Sequence, residues 1–256
     1  ADLAVTLSAD DVKQLSSDPK LRVPTANTER VAFLAFNVLG KSATAKRDGR
    51  EAIVRAIDPK KIVDALLGGQ ADPVREMLTP LHVGYDASLP TFSYDPQKAK
   101  DALARAGLAS GTTLTFLTSP AYDQRIVQAI QGQLGEAGIT VKIETVDQPT
   151  FLKKVQGPEH DWGDMRLGQW SCACLDADGV IYPLFRTGSI WSSYSNPAYD
   201  AAVDGARATL DESKRKVLYS TALRLLYDDI AAYGTWQIRS IYGARATLDW
   251  QPTVDE

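Results

Sequence analysis

At 256 residues and 44% apolar content, the chain is long enough for one large domain or two ordinary ones around a real core. A net charge of −4 argues against a nucleic-acid backbone or an anionic membrane as the main partner, since either calls for a surplus of Lys and Arg. The longest apolar run, VAFLAF at 31–36, falls far short of the roughly 20 residues of a membrane span, and two cysteines with two histidines, His82 and His160, are too few for a disulfide scaffold or most zinc sites.

In chain order, LAVTL reads as a strand and Ser8 caps a helix over ADDVKQLSSD, whose acidic first turn suits the helix dipole. KLRVPT and RVAFLAFN read as two more strands, the second apolar from Val31 to Phe36 and so expected to be buried on both faces. Asp48 is the expected cap of GREAIVRAI, and Asp58-Pro59 opens KKIVDALL, which Gly68-Gly69 ends. Residues 70–94 show no sustained period and read as a long irregular connection. Asp95-Pro96 then starts QKAKDALARA, ended by Gly107. LTFLT, a helix over 123–137 and ITVKIETV spell a strand-helix-strand unit with parallel pairing, which makes the architecture α/β.

Pro149 begins another short helix, and DMRLGQW at 164–170 is a strand. Asn196 and Asp211 cap two further helices, the second with Val217, Leu218, Ala222, Leu225 and Leu226 expected on one face. A last strand lies near GTWQIRSIYGA, before the tail DWQPTVDE.

The stretch WSCACLDADGVIYPLF, 170–185, concentrates the chemistry. As a calcium loop begun at Cys174 it places Asp176, Asp178 and Gly179 correctly, but sulfur stands at position one and Phe185 where a bidentate Glu belongs. Zinc lacks CxxC spacing and a nearby His, and a redox pair across one intervening residue is disfavoured. Cys172 and Cys174 therefore read as small apolar side chains on one strand face, and Asp176 and Asp178 as turn residues bonding their own backbone or as acids at a cleft edge. Trp170 and Trp191 offer stacking faces or core. No Ser-His-acid set, phosphate-cradling loop or nucleotide fingerprint is present, so no residue is expected to be catalytic and no cofactor or metal is expected. Asp176 and Asp178 as an acid pair in a carbohydrate-acting hydrolase is the alternative.

The order LAFN, REAIVRAIDPKKIVDALLGG, YDPQKAKDALARAG, DMRLGQW and YSNPAYDAAVDGARATLDESKRKVLYSTALRLLYDD resembles the family 5 extracytoplasmic solute-binding proteins of ABC importers, which bind dipeptides, oligopeptides, nickel and opines. The resemblance covers roughly residues 1–246. It implies a type II periplasmic-binding-protein-like α/β fold of two hinged lobes, of which this chain is essentially the second, with pieces of the first. Residues 1–36 correspond to the closing segment of lobe I, 37–232 to lobe II, and 233–256 to the return crossing and tail, with Asn37 and Gln237 as hinge residues. The N-terminal lobe is then a missing partner, the apolar rim left exposed on the isolated lobe invites self-association, and weak or absent solute binding is expected of this chain alone.

The resemblance also implies a periplasmic location, or an extracellular membrane-anchored one, a small-molecule solute, and an ABC permease as receiver. Trp170, Cys174, Asp176, Asp178, Trp191 and Tyr194 are the implied cleft wall. Peptide-binding relatives resemble W-x-A-D-Y-x-D-P here and offer an acid to the peptide amino group. In this chain Cys174 is set at the acid's place and Gly179 where Pro is usual, with Asp176 and Asp178 displaced. An unpaired amine in a dry cleft costs roughly 3 to 5 kcal/mol, so an opine-like, sugar-like or sugar-phosphate solute fits better than an ordinary peptide.

Overall fold

The computed structural model describes residues 1–108 and 112–253; the end of the tail, 254–256, lies outside them. The elements run β1 Leu3–Ala4, α1 Ala9–Leu15, β2 Leu21–Arg22, β3 Thr25–Phe36, α2 Arg47–Ala56, α3 Pro59–Leu66, β4 Ala71–Pro73, α4 Pro96–Arg105, β5 Thr113–Thr118, α5 Gln124–Glu136 and β6 Thr140–Thr145. They continue with α6 Gln148–Gln156, β7 Met165–Trp170, α7 Asp178–Phe185, α8 Pro197–Arg207, α9 Glu212–Asp229, β8 Ala232–Ile241 and β9 Gly243–Arg245.

Two sheets form. A six-stranded mixed sheet has the order β4-β8-β3-β7-β5-β6, and a three-stranded one has the order β1-β9-β2. The β5-α5-β6 unit is parallel, as its pattern requires. β3 is central, antiparallel to β7 on one side and to β8 on the other. Its unbroken apolar run follows from helices covering both faces: Ala32, Leu34 and Phe36 join the core under α2 to α5, and Phe33 and Ala35 the core under α6 to α9.

Caps at Ser8, Asp58, Asp95, Asn196 and Asp211 all accept from the first-turn backbone. The expected cap of α2 is corrected: Lys46 holds the N-cap position without a side-chain bond, and Asp48 in the first turn pairs with Arg105 at 3.2 Å. α6 starts at Gln148 under Asp147 rather than at Pro149. The buried face of α9 is Tyr219, Ala222, Leu223 and Leu226, whereas Val217 is 66% exposed; the i, i+3, i+4, i+7 set that faces the sheet is rotated from the expected one. The connection after α3 is irregular except for β4, which pairs with β8. The expected last strand is two, split at Tyr242, because β9 belongs to the small sheet.

Candidate functional site

One row of the large sheet gives the place of the candidate site. Trp170 of β7 stands opposite Val31 of β3, and Val31 opposite Gln237 of β8. At this row β7 ends and its loop begins, while β3 and β8 carry on toward the small sheet. Between Asn27 and Val31 the β3-β8 ladder shifts register. Side chains close the gap: Thr28 Oγ1 donates to the Ile238 carbonyl at 2.7 Å, and Gln237 Nε2 to the Thr28 carbonyl at 2.6 Å. An open hollow of about 840 Å³, lined by Leu3, Thr28, Arg30, Arg239 and Tyr242 among others, lies where the sheets meet.

Gln237 is thus at the junction, but Asn37 is not. It follows the far end of β3, 2% exposed, with its backbone N–H on the Asp164 carbonyl at 2.9 Å and its side-chain amide donating to the carbonyls of His160 and Gly163 at 2.6 and 3.0 Å. The boundary expected at 36/37 therefore falls where β3 has already traversed the large sheet. The change from one sheet to the other occurs between Arg22 and Thr25, and again at Tyr242.

The loop after β7 is tied at several points. Cys172 and Cys174 are disulfide-bonded, which corrects their reading as free apolar side chains. The turn carrying the bridge is local: Leu175 N–H returns to the Cys172 carbonyl at 2.9 Å, with Leu175 in the left-handed region at φ 50°. Val83 clasps the loop from beneath by accepting from Ala177 at 2.9 Å and donating to Leu175 at 2.8 Å. Trp170 Nε1 donates to the Gly179 carbonyl at 2.9 Å. Gly179 is required by contact: a Cβ there would meet Cys172 Sγ at 2.3 Å and Cys174 Sγ at 2.5 Å.

The two acids are both engaged. Asp176 accepts from Arg215 Nη2 at 2.9 and 3.0 Å and from the Tyr219 hydroxyl at 2.7 Å, and also receives Asp178 N–H at 2.9 Å. Asp178 faces Arg207 at 3.3 Å, and its carboxyl is held above the usual range by burial, which the Arg207 cation opposes. Trp170 and Trp191, both half-buried, meet edge to face with centroids 5.6 Å apart. Tyr194 leaves this face: it is 3% exposed and its hydroxyl donates to Asp229. The structure so gathers Trp170, Cys174, Asp176, Asp178 and Trp191 on and around one loop and sends Tyr194 to the core. Counted from Trp170, the first acid of W-x-A-D-Y-x-D-P falls on exposed Ala173 rather than Cys174, its second acid falls on Asp176, which is therefore in place rather than displaced, and its Pro falls on buried Ala177 rather than Gly179.

Sequence reasoning missed Arg166, Arg215, Val83 and the role of Gly179. Arg215 and Val83 are distant in sequence from the loop and carry no local signal. Arg166 does carry one: it is a charge in the middle of a strand, flanked by buried Met165 and Leu167. Only 4% exposed, its guanidinium lies 5.6 Å from the Trp162 ring centroid and 5.9 Å from that of Phe33, and burial lowers its pKa to about 10.

Residues 1–213 match the family described as bacterial extracellular solute-binding proteins, family 5 Middle. The chain belongs to this family. It is 29% identical over 230 residues to di/tripeptide-binding protein 1 of Pseudomonas aeruginosa, an alignment that covers 86% of this chain and 42% of that protein. Among solved structures, the periplasmic binding protein DppA of Helicobacter pylori, in complex with the peptide STSA, superposes with a TM-score of 0.87 at 23% identity, over 99% of this chain and 51% of that one. AgaA from A. tumefaciens R10, in complex with agropinic acid, superposes with a TM-score of 0.81 at 22% identity, over 96% and 51% respectively. The family 5 chain thus has the expected α/β fold of type II periplasmic binding proteins and spans about half the length of the relatives it matches.

Proposed function

We propose that this chain forms one wall of the ligand cleft in the solute-binding component of an ABC importer, located in the periplasm or outside the cell, which passes a small solute to a membrane permease and performs no covalent chemistry. The paired β3 and β8, which leave the large sheet beside the Trp170 loop and run on to the small one, carry this reading: they put an aromatic, disulfide-tied wall at the edge of a crossing. Residues 1–24 and β9 then belong to the first lobe, β3 and β8 are the crossing strands, and Thr28 and Gln237 flank the point of flexure. The lobe that would face this wall lies outside the chain.

The relatives bind di- and tripeptides, the peptide STSA and agropinic acid. For this wall an opine-like or sugar-phosphate solute is favoured over a free peptide amine, because Ala173 supplies no acid and both neighbouring acids face arginines. A hydrolase built on Asp176 and Asp178 has no observation in its favour, since Asp176 already accepts from two side chains. Calorimetry on the full-length protein tests the assignment. Binding of agropinic acid or glucose 6-phosphate with trialanine ignored is the expected outcome, and tight binding of trialanine with the others ignored defeats the preference.

A further inference from the structure

Arg166 is a buried cation without a counter-ion. It makes no ion pair or side-chain hydrogen bond among the described residues, and its Nε lacks any acceptor. Two aromatic faces near the 6 Å limit of cation–π attraction do not replace the hydration that burial removes. The direction of the side chain is also informative. A Cβ at Gly168 would meet Arg166 Nη1 at 2.9 Å, so the guanidinium lies across Gly168, along β7 toward Trp170 and away from the sheet's far end.

There it borders a small cavity shared with Phe33, Trp162, Phe185, Trp191 and Ser193. The other polar groups of this cavity are already committed: Ser193 Oγ accepts from Trp162 Nε1 at 3.0 Å, and Tyr194 is bonded to Asp229. Its volume is about 10 Å³, room for roughly one water. Trp191 closes it, half-buried and held by packing alone, since its indole N–H makes no hydrogen bond among the described residues.

Resting on the solute-binding reading above, we propose that Arg166 is a specificity residue of the cleft wall that takes a carboxylate of the solute when the Trp191 side chain swings aside. A planar carboxylate matches the guanidinium fork edge to edge, and of the two solute classes favoured above this assignment selects the carboxylate-bearing, opine-like one over the sugar phosphate.

The test is calorimetry on the full-length protein with matched probes: succinate against succinamide, trialanine against its C-terminal amide, and glucose 6-phosphate. The carboxylate member of at least one pair is expected to bind about 30-fold or more tightly than its amide. Arg166→Met erases that preference, while Arg224→Gln, on the outer surface of α9, preserves it. Arg166→Met is also expected to melt no lower than wild type, because it replaces an uncompensated buried charge by an apolar side chain of similar length. Equal binding of both members by wild type overturns the role of Arg166 and leaves solute binding standing. Binding of glucose 6-phosphate alone, abolished by Arg166→Met, overturns the carboxylate assignment, and absence of binding to every probe overturns both readings. A lowered melting temperature with the preference intact shows Arg166 to be structural and likewise overturns the inference.

Discussion

Glu76 sits on the large sheet's α9 side, 9% exposed, with one carboxyl oxygen accepting from Asp86 N–H at 3.0 Å and the other without a partner. Burial, reinforced by the Asp86 carboxylate, pushes its pKa up to about 8 from the ordinary 4.5. The folded chain therefore keeps a proton that the unfolded chain releases, so this contribution to stability is complete below pH 4.5 and is lost as pH rises through about 8. Urea unfolding across that range is expected to show a loss on the order of a few kcal/mol, and Glu76→Gln to flatten it. Nothing around PVREML announces this burial, because it depends on Gly234 of β8, where a Cβ would lie 2.3 Å from the Glu76 carbonyl. Caps such as Asp95 and Asn196 were legible because each bonds backbone two or three residues on. The Asp176–Arg215 pair was not, since its partners meet only after α9 docks.

At the level of elements, the chain declares its helices and central strands through period and punctuation, and the structure moves their ends by a few residues. What it conceals is side-chain closure. The CAC segment reads as two small apolar residues on a strand, yet β7 stops at Trp170 and the turn at Leu175 brings the sulfurs together against the start of α7. The native chain is therefore expected to show no thiol reactive to a colorimetric reagent, and to gain the mass of two hydrogens on reduction. Gly179→Ala tests the packing of that bridge: the added methyl overlaps both sulfurs, and a cost of about 2 kcal/mol in urea unfolding is expected. In the reduced protein, where the sulfurs are free to separate, the cost should shrink.

For the molecule as a whole, burial is unequal. No residue before Val31 is buried, and α1 leaves Val12 and Leu15 only half-covered, whereas the six-stranded layer holds two full cores. If residues 1–24 complete another lobe, their amides should exchange quickly in this chain alone and at least tenfold more slowly in the full-length protein; equal exchange in both would detach them from that lobe. The three-layer body was legible because alternation and helix period are intrinsic to each segment, and the small sheet was not, because β1, β2 and β9 are two or three residues long and paired across more than two hundred positions. The opened ladder between β3 and β8 has a mechanical meaning. Strands laced there by rotatable Thr28 and Gln237, instead of by a rigid row of peptide groups, form a ribbon that yields to torsion more easily than to stretching. On the proposed two-lobe reading, a jaw mounted on such a ribbon would turn about its length while its reach stays fixed, gripping an occupant by a change of angle rather than of spacing.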